Sequence, residues 1–142
     1  MTINRIFFDA NIILDLIDID RGNLEKAREL VRVALTDDIL LYTSCDILSN
    51  IYYVGQKKLD KELLVKEMLR ILDIFEIIEI DKNLSREALH KNADNFSCDF
   101  EDLLQVECAK SYNCDLIVTN DKKFIKSDVE YLSLDAALKS LT

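Results

Sequence analysis

Short apolar runs of strand length alternate along this chain with longer stretches whose apolar residues recur every three or four positions, and that alternation admits few folds. The strand-like runs are Ile3 to Phe8, Ile39 to Thr43, Phe75 to Ile80, Asp115 to Thr119 and Val129 to Leu132. Asp115-Leu-Ile-Val-Thr119 is the plainest of them. Helical patterns fill the gaps: Asn11 to Ile19, Asn23 to Thr36, Ser44 or Asp46 to Lys57, Asp60 to Asp73, Asn83 or Ser85 to Asn92, Asp99 to Tyr112, and a last helix after Ser133. Asn23 is placed to cap a helix whose inward stripe is Leu24, Ala27, Leu30, Val31, Ala34 and Leu35. In the helix after Asp60 the stripe is Leu63, Leu64, Met68, Leu69 and Leu72. No proline and only two glycines, Gly22 and Gly55, interrupt these patterns, so helix should predominate. Strands separated by helices run parallel and are joined by right-handed crossovers, which predicts a three-layer α/β/α sandwich with a central parallel sheet. No repeat or linker breaks the pattern, and residues 1–142 read as a single domain.

Charge narrows the function. The 142 residues carry 18 Lys plus Arg against 27 Asp plus Glu, a net charge of −9. That balance excludes a protein that coats nucleic acid with positive charge, but not one that meets it through bound cations. The longest uncharged stretch, Ile47 to Gln56, is too short to span a bilayer, and Asp9 interrupts the only apolar run near the N-terminus, so no membrane segment or secretory signal is expected. Cys45, Cys98, Cys108 and Cys114 form no C-x-x-C pair, and the single histidine, His90, is not close to two of them. A structural zinc site is set aside, and the reading is four reduced, mostly buried thiols in a cytoplasmic protein. His90 reads as a surface residue at a helix end. Ser-His-Asp and Cys-His mechanisms would rest on it alone and are set aside too.

The informative acids lie where a parallel sheet binds its ligands, beyond the carboxyl ends of the strands. Asp9 ends the first strand, and Asp121 follows the strand that closes at Thr119. If both strands are central, their carboxylates meet on one rim. Asp99 and Asp102 stand three apart at a helix start and share a face, while Phe100, Leu104 and Cys108 form a row that can turn inward. Asp99 by itself reads as a cap or as an acid favoured by the helix dipole. Asp102 reads as functional, because its helix leads into the strand that delivers Asp121. Two like unit charges at about 4 Å repel by about 4 kcal/mol at an effective dielectric near 20, so gathered carboxylates call for a cation. An all-oxygen set suits Mg²⁺ or Mn²⁺.

Three ordered motifs carry a resemblance. Phe7-Phe8-Asp9-Ala10-Asn11-Ile12-Ile13-Leu14-Asp15-Leu16, then Phe100-Glu101-Asp102-Leu103-Leu104-Gln105, then Thr119-Asn120-Asp121-Lys122-Lys123-Phe124 resemble the acidic motifs of PIN-domain ribonucleases, in the family's order and over essentially the whole chain. The resemblance implies a Mg²⁺- or Mn²⁺-dependent endoribonuclease of the kind found as VapC-type toxins in toxin–antitoxin pairs. It implies that Asp9, Asp102 and Asp121 bind the metal, that Asn11 holds the Asp9 loop or touches the site, and that Asp99 joins the acidic cluster. It further implies RNA as substrate, products with 5′-phosphate and 3′-hydroxyl ends, a cognate antitoxin lying across the N-terminal helical region, and a homodimer.

One position departs from the pattern. The family's second acid, usually Glu, falls here on Asn50, which offers a carbonyl oxygen but no charge. This raises the competing reading of a PIN module that binds RNA or a partner without cutting. Asp46, one turn earlier, could compensate but reads more readily as an N-terminal helix acid; Asp15 stands where the resembled motif often has an acid, and reads otherwise as a helix-surface charge. Lys122, Lys123 and Lys126 follow Asp121 closely enough to steer an RNA backbone, and read equally well as a solvated loop. Of Tyr52 and Tyr53, at least one belongs to the core or to an interface, since adjacent helical residues point about 100° apart. A receiver-type signalling domain, also small and acidic, fits these motifs poorly.

Overall fold

Ile6, Phe7 and Phe8 are wholly buried in the computed structural model, which describes residues 2–142. They belong to β1 (Arg5–Phe8), the middle strand of a five-stranded, all-parallel sheet. The other strands are β2 (Leu40–Ser44), β3 (Glu76–Ile78), β4 (Leu116–Val118) and β5 (Glu130–Leu132), in the spatial order β3-β2-β1-β4-β5. A parallel strand flanked on both edges and covered on both faces has no solvated side, which is why β1 is apolar throughout its last three residues.

The helices are α1 (Ala10–Ile17), α2 (Leu24–Thr36), α3 (Cys45–Gly55), α4 (Lys61–Ile74), α5 (Lys82–Asp94), α6 (Phe100–Ser111) and α7 (Leu134–Leu141), with a 3-10 turn at Ile19–Arg21. Right-handed crossovers from β1 through β2 to β3 put α1 to α4 on one face, and the return to β4 puts α5 and α6 on the other. The packing agrees: α1 lies against α2 and α3, α2 against α7, and α5 against α6. This is the expected α/β/α sandwich. Its strand order reverses at β1, between β2 and β4, and such a switch point opens a crevice at the carboxyl ends of the strands.

Several local expectations shift. Asn23 precedes α2 but makes no capping bond; its amide donates to the Asp15 carboxylate at 3.3 Å instead. Leu35 is half exposed on the outer side of α2. The fifth helix starts at Lys82, one residue before Asn83, because the Asp81 carboxylate accepts from Leu84 N and fixes its first turn. Phe75 and Ile80 fall outside the three-residue β3. Phe100 remains partly exposed where α6 begins, so the inward row starts only at Leu104 and Cys108. Cys45, at the start of α3, is exposed rather than buried; all four cysteines are free. The stripe on α4 is the largest revision: Leu64 and Ile71 are buried, while Leu63, Leu69 and Leu72 are exposed. The helix lies beside the edge strand β3 and meets the body of the protein along a seam one heptad long.

Gly55 lets α3 and α4 approach. A Cβ at this position would lie 2.7 Å from Leu64 Cδ1, and Leu64 is wholly buried. Gly55→Ala gains up to about 1 kcal/mol of helix preference but incurs about 1–3 kcal/mol of overpacking. The expected result is a net loss of about 1 kcal/mol, read as a lower denaturant midpoint at unchanged slope.

Candidate active site

Asp9 stands at the switch point because β1 ends one residue before it. Its backbone N–H continues the sheet to Val118 O at 3.0 Å, and its side chain caps α1 by accepting from Ala10 N at 2.7 Å. The other carboxylate oxygen accepts from Thr119 Oγ1 at 2.7 Å and from Asn11 Nδ2 at 2.8 Å. Thr119 follows β4, so this hydroxyl joins the ends of the two neighbouring strands. Asn11 closes the same circle: its Oδ1 accepts from Asn120 N at 3.1 Å. Thr119 Oγ1 also accepts from Asp121 N at 3.1 Å, which sets the turn that carries Asp121. Asn120 in turn accepts from Leu134 N at 3.0 Å, tying the loop to α7.

On the opposite face, Asp99 caps α6 by accepting from Glu101 N at 2.8 Å and Asp102 N at 3.4 Å. It caps the helix, as one expectation had it, and it also lines the cleft. Asp9, Asn11, Asn50, Asp99, Asp102 and Asp121, all singled out in the sequence, line one cleft of about 300 Å³. Asp46 is absent from that wall; its carboxylate instead receives a hydrogen bond from the Ser44 hydroxyl at the start of α3.

The carboxylates feel one another. Asp102 is pushed up to about 7, first by burial and then by the charges of Asp99, Asp121, Asp9 and Glu101. Glu101 is raised as well, by burial and by Asp46, Asp99 and Asp9. The two shifts share their causes, burial and crowded carboxylates.

Three further polar residues line the cleft without having been singled out as site residues: Gln105, Arg21 and Glu101. Gln105 lies three residues after Asp102, on the same side of α6, and that spacing was the available signal. Its Oε1 is the one buried side-chain polar atom among the described residues with no hydrogen-bond partner. Asp15, read as a surface charge, is 1% exposed and ion-paired to Arg21, Nε to Oδ1 at 2.7 Å. The signal there was an acid inside the apolar run Ile12, Ile13, Leu14, Leu16, Ile17, which demands a partner.

Whether the cleft suits a metal is a question of donors. It offers carboxylate and amide oxygens and no sulfur or imidazole, the set preferred by a hard divalent ion. The unpartnered Gln105 carbonyl oxygen and the crowded carboxylate of Asp102 are donors of the kind such an ion takes. Among the described residues, no three His, Cys, Asp or Glu side chains already stand close enough to ligate one ion. Asp9, Asp99 and Asp121 each already accept from local hydrogen-bond donors.

A family model described as PIN domain matches residues 5–123. Ribonuclease VapC1 of Aquifex aeolicus is 34% identical over 137 residues, covering 95% of this chain and 94% of that protein. Among solved structures, DNA-bound VapBC from Salmonella typhimurium superposes with a TM-score of 0.70 at 16% identity, over 92% of this chain and 98% of that one. VapBC2 from Rickettsia felis, bound to a fragment of its promoter, gives 0.69 at 19% identity, over 91% and 98%. VapC20 of Mycobacterium tuberculosis, a toxin that cleaves the sarcin-ricin loop, gives 0.68 at 13% identity, over 84% and 92%. At these identities the structures bear on the fold alone.

Asp102 carries a pH signature. Its carboxyl titrates near 7 in the folded protein against an ordinary value of 3.8, so metal-free protein loses stability as pH rises from about 4 through about 7. Asp102→Asn removes the charge that causes the loss. Thermal melts in EDTA should therefore find the variant more stable than the parent at pH 8, with the gap closing toward pH 5.

Proposed function

The chain belongs to the PIN-domain family, and from that premise we propose that it is a divalent-metal-dependent endoribonuclease, the toxin of a type II toxin–antitoxin pair. The observation that carries the proposal is the arrival of Asp9, Asp102 and Asp121 at one cleft from three separate elements: the ends of β1 and β4 and the first turn of α6. In this reading those three side chains hold one Mg²⁺ or Mn²⁺, and Asp99 adds charge at the rim. Asn50 adds a neutral oxygen. When bound, the ion lowers the pKa of a coordinated water and neutralises charge on the attacked phosphate. The rest falls to the chain. Thr119 and Asn11 hold one oxygen of Asp9 between them, so its carboxylate keeps a single orientation. Gln105 offers its amide to water in the cleft. Water adds to phosphorus and the P–O3′ bond breaks, leaving 5′-phosphate and 3′-hydroxyl ends, and no side-chain nucleophile is used.

The proposed partners are an RNA substrate, a cognate antitoxin and a second copy of the chain. A groove between α1, α2 and α4, lined by Leu16, Ile17, Val31, Ile71 and Ile74, suits an apolar antitoxin segment across the N-terminal helices. The exposed Val65, Leu69 and Leu72 on one side of α4 suit a self-association face. We assign the protein to the cytoplasm, a reducing compartment in which four free cysteines persist. A non-cutting RNA-binding module is the second reading, favoured by one observation: the uncharged Asn50 in the cleft wall.

Purified protein is incubated with structured RNAs in Mn²⁺ or Mg²⁺. Cleavage abolished by EDTA, and reduced at least about a hundredfold by Asp9→Asn, is the expected outcome, in line with loss of metal charge stabilisation. Cleavage that persists in EDTA, or in the Asp9→Asn protein, sinks the metal mechanism. Folded protein that binds RNA but leaves it intact selects the second reading.

A further inference from the structure

Arg21 is the only cationic side chain among the residues lining the acidic cleft, and its position is held by a group outside that cleft. Its Nε donates to the Asp15 carboxylate at 2.7 Å, and one terminal nitrogen, Nη2, donates to Asn11 O at 3.3 Å. Asp15 is 1% exposed and also accepts from Asn23 Nδ2 at 3.3 Å, so the anchor itself is fixed. A guanidinium carries five N–H donors in a rigid fork, and these contacts use two. The remaining three belong to a side chain that is about one-third exposed.

What Arg21 does not do is equally informative. Its single ion pair among the described residues is with Asp15, and none is made with the carboxylates of the cleft. A free guanidinium beside so many like charges would turn to them, since each such contact is worth a charge-assisted hydrogen bond. Asp15 holds it back, leaving the cleft carboxylates open to a cation and the fork open to an anion. The 3-10 turn that carries Arg21 is braced too: the Asp18 carboxylate accepts from Asp20 N, and Lys58 approaches it at 3.8 Å.

Resting on the ribonuclease reading above, we infer that Arg21 is an RNA-binding residue, its preset fork taking a backbone phosphate next to the one that is cut. The phosphodiester is the ligand whose geometry a planar, two-pronged donor matches, and its negative charge is the one the cleft carboxylates repel. Asp15 is the corresponding positioning residue, acting through Arg21 without touching the substrate.

The test uses full-length protein carrying Asp9→Asn, titrated with a fluorescent single-stranded RNA over a range of KCl concentrations. Adding Arg21→Gln should weaken RNA binding about tenfold and flatten the log–log salt dependence by about 0.7, the value of one lost phosphate contact. Arg21→Lys should keep the slope while recovering only part of the affinity, since an ammonium is a point charge without the fork. In protein that retains Asp9, Arg21→Gln should raise KM more than it lowers kcat. A purely structural role leaves the slope unmoved. If Arg21→Gln alone leaves Asp15 buried and unpaired and the protein unfolds, the Asp15→Asn/Arg21→Gln double variant restores a neutral pair and gives the same readings. Folded Arg21→Gln, or the double variant, binding RNA with parental affinity and slope overturns this inference alone, provided Asp9→Asn abolishes cutting. RNA that no variant binds, or that Asp9→Asn still cuts, overturns the ribonuclease reading with it.

Discussion

The hydrogen bond from the Thr119 hydroxyl to the Asp9 carboxylate joins the ends of the two strands where the sheet reverses its order. Much of the site depends on it. β1 and β4 run parallel in a fixed register, Phe8 opposite Val118, so the residues just past each strand must face one another. A carboxylate at Asp9 would repel whatever acid β4 delivers. The small donor at Thr119 separates them and holds each, giving a proton to Asp9 and taking one from Asp121 N. A larger side chain would spread the strand ends, and an apolar one would leave a buried carboxylate oxygen with one donor fewer.

Around this joint the chain sorts its charges into two kinds. Asp15 and Arg21 form a paired set behind the cleft, with the acid buried and the base reaching forward. Asp9, Asp99, Asp102 and Asp121 form an unpaired set inside it, and burial together with their mutual repulsion shows in the raised Asp102. Keeping these sets apart costs stability, because a swing of Arg21 into the cleft would relieve some of the repulsion. A folded protein tolerates such local frustration where it serves binding, and here the unfilled Gln105 amide adds to it in the same place.

The framework was legible because parallel strands are short, apolar and bounded by amphipathic helices, a pattern written in consecutive residues. The acids at strand ends were legible for the same reason: once β1 and β4 are found, Asp9 and Asp121 are the first acids that follow them. What the sequence concealed are pairings across distance in the chain or between surfaces. Asp15 looked like a helix-surface acid because its partner lies beyond the end of α1, in a turn with no period to read. Asn23 looked like a cap because its type and position suit one, yet a buried carboxylate competes for its amide. Leu63, Leu69 and Leu72 follow helical spacing as well as any core stripe, but spacing cannot say how wide a seam the neighbouring elements provide.

A net charge of −9 is an obstacle for a protein that meets a polyanion, and the geometry suggests how the obstacle is local. At physiological ionic strength a surface charge is screened beyond about 8 Å, so acids on distant helices add little to the field at the cleft. The nearby acids are different, because they sit within that range and share a partly buried wall. A bound divalent ion would cancel two of their charges, and an anchored guanidinium supplies one more positive charge that the acids have not consumed. Attraction for a polyanion would then strengthen once the ion is in place, with the anchored guanidinium supplying the part that does not depend on the ion.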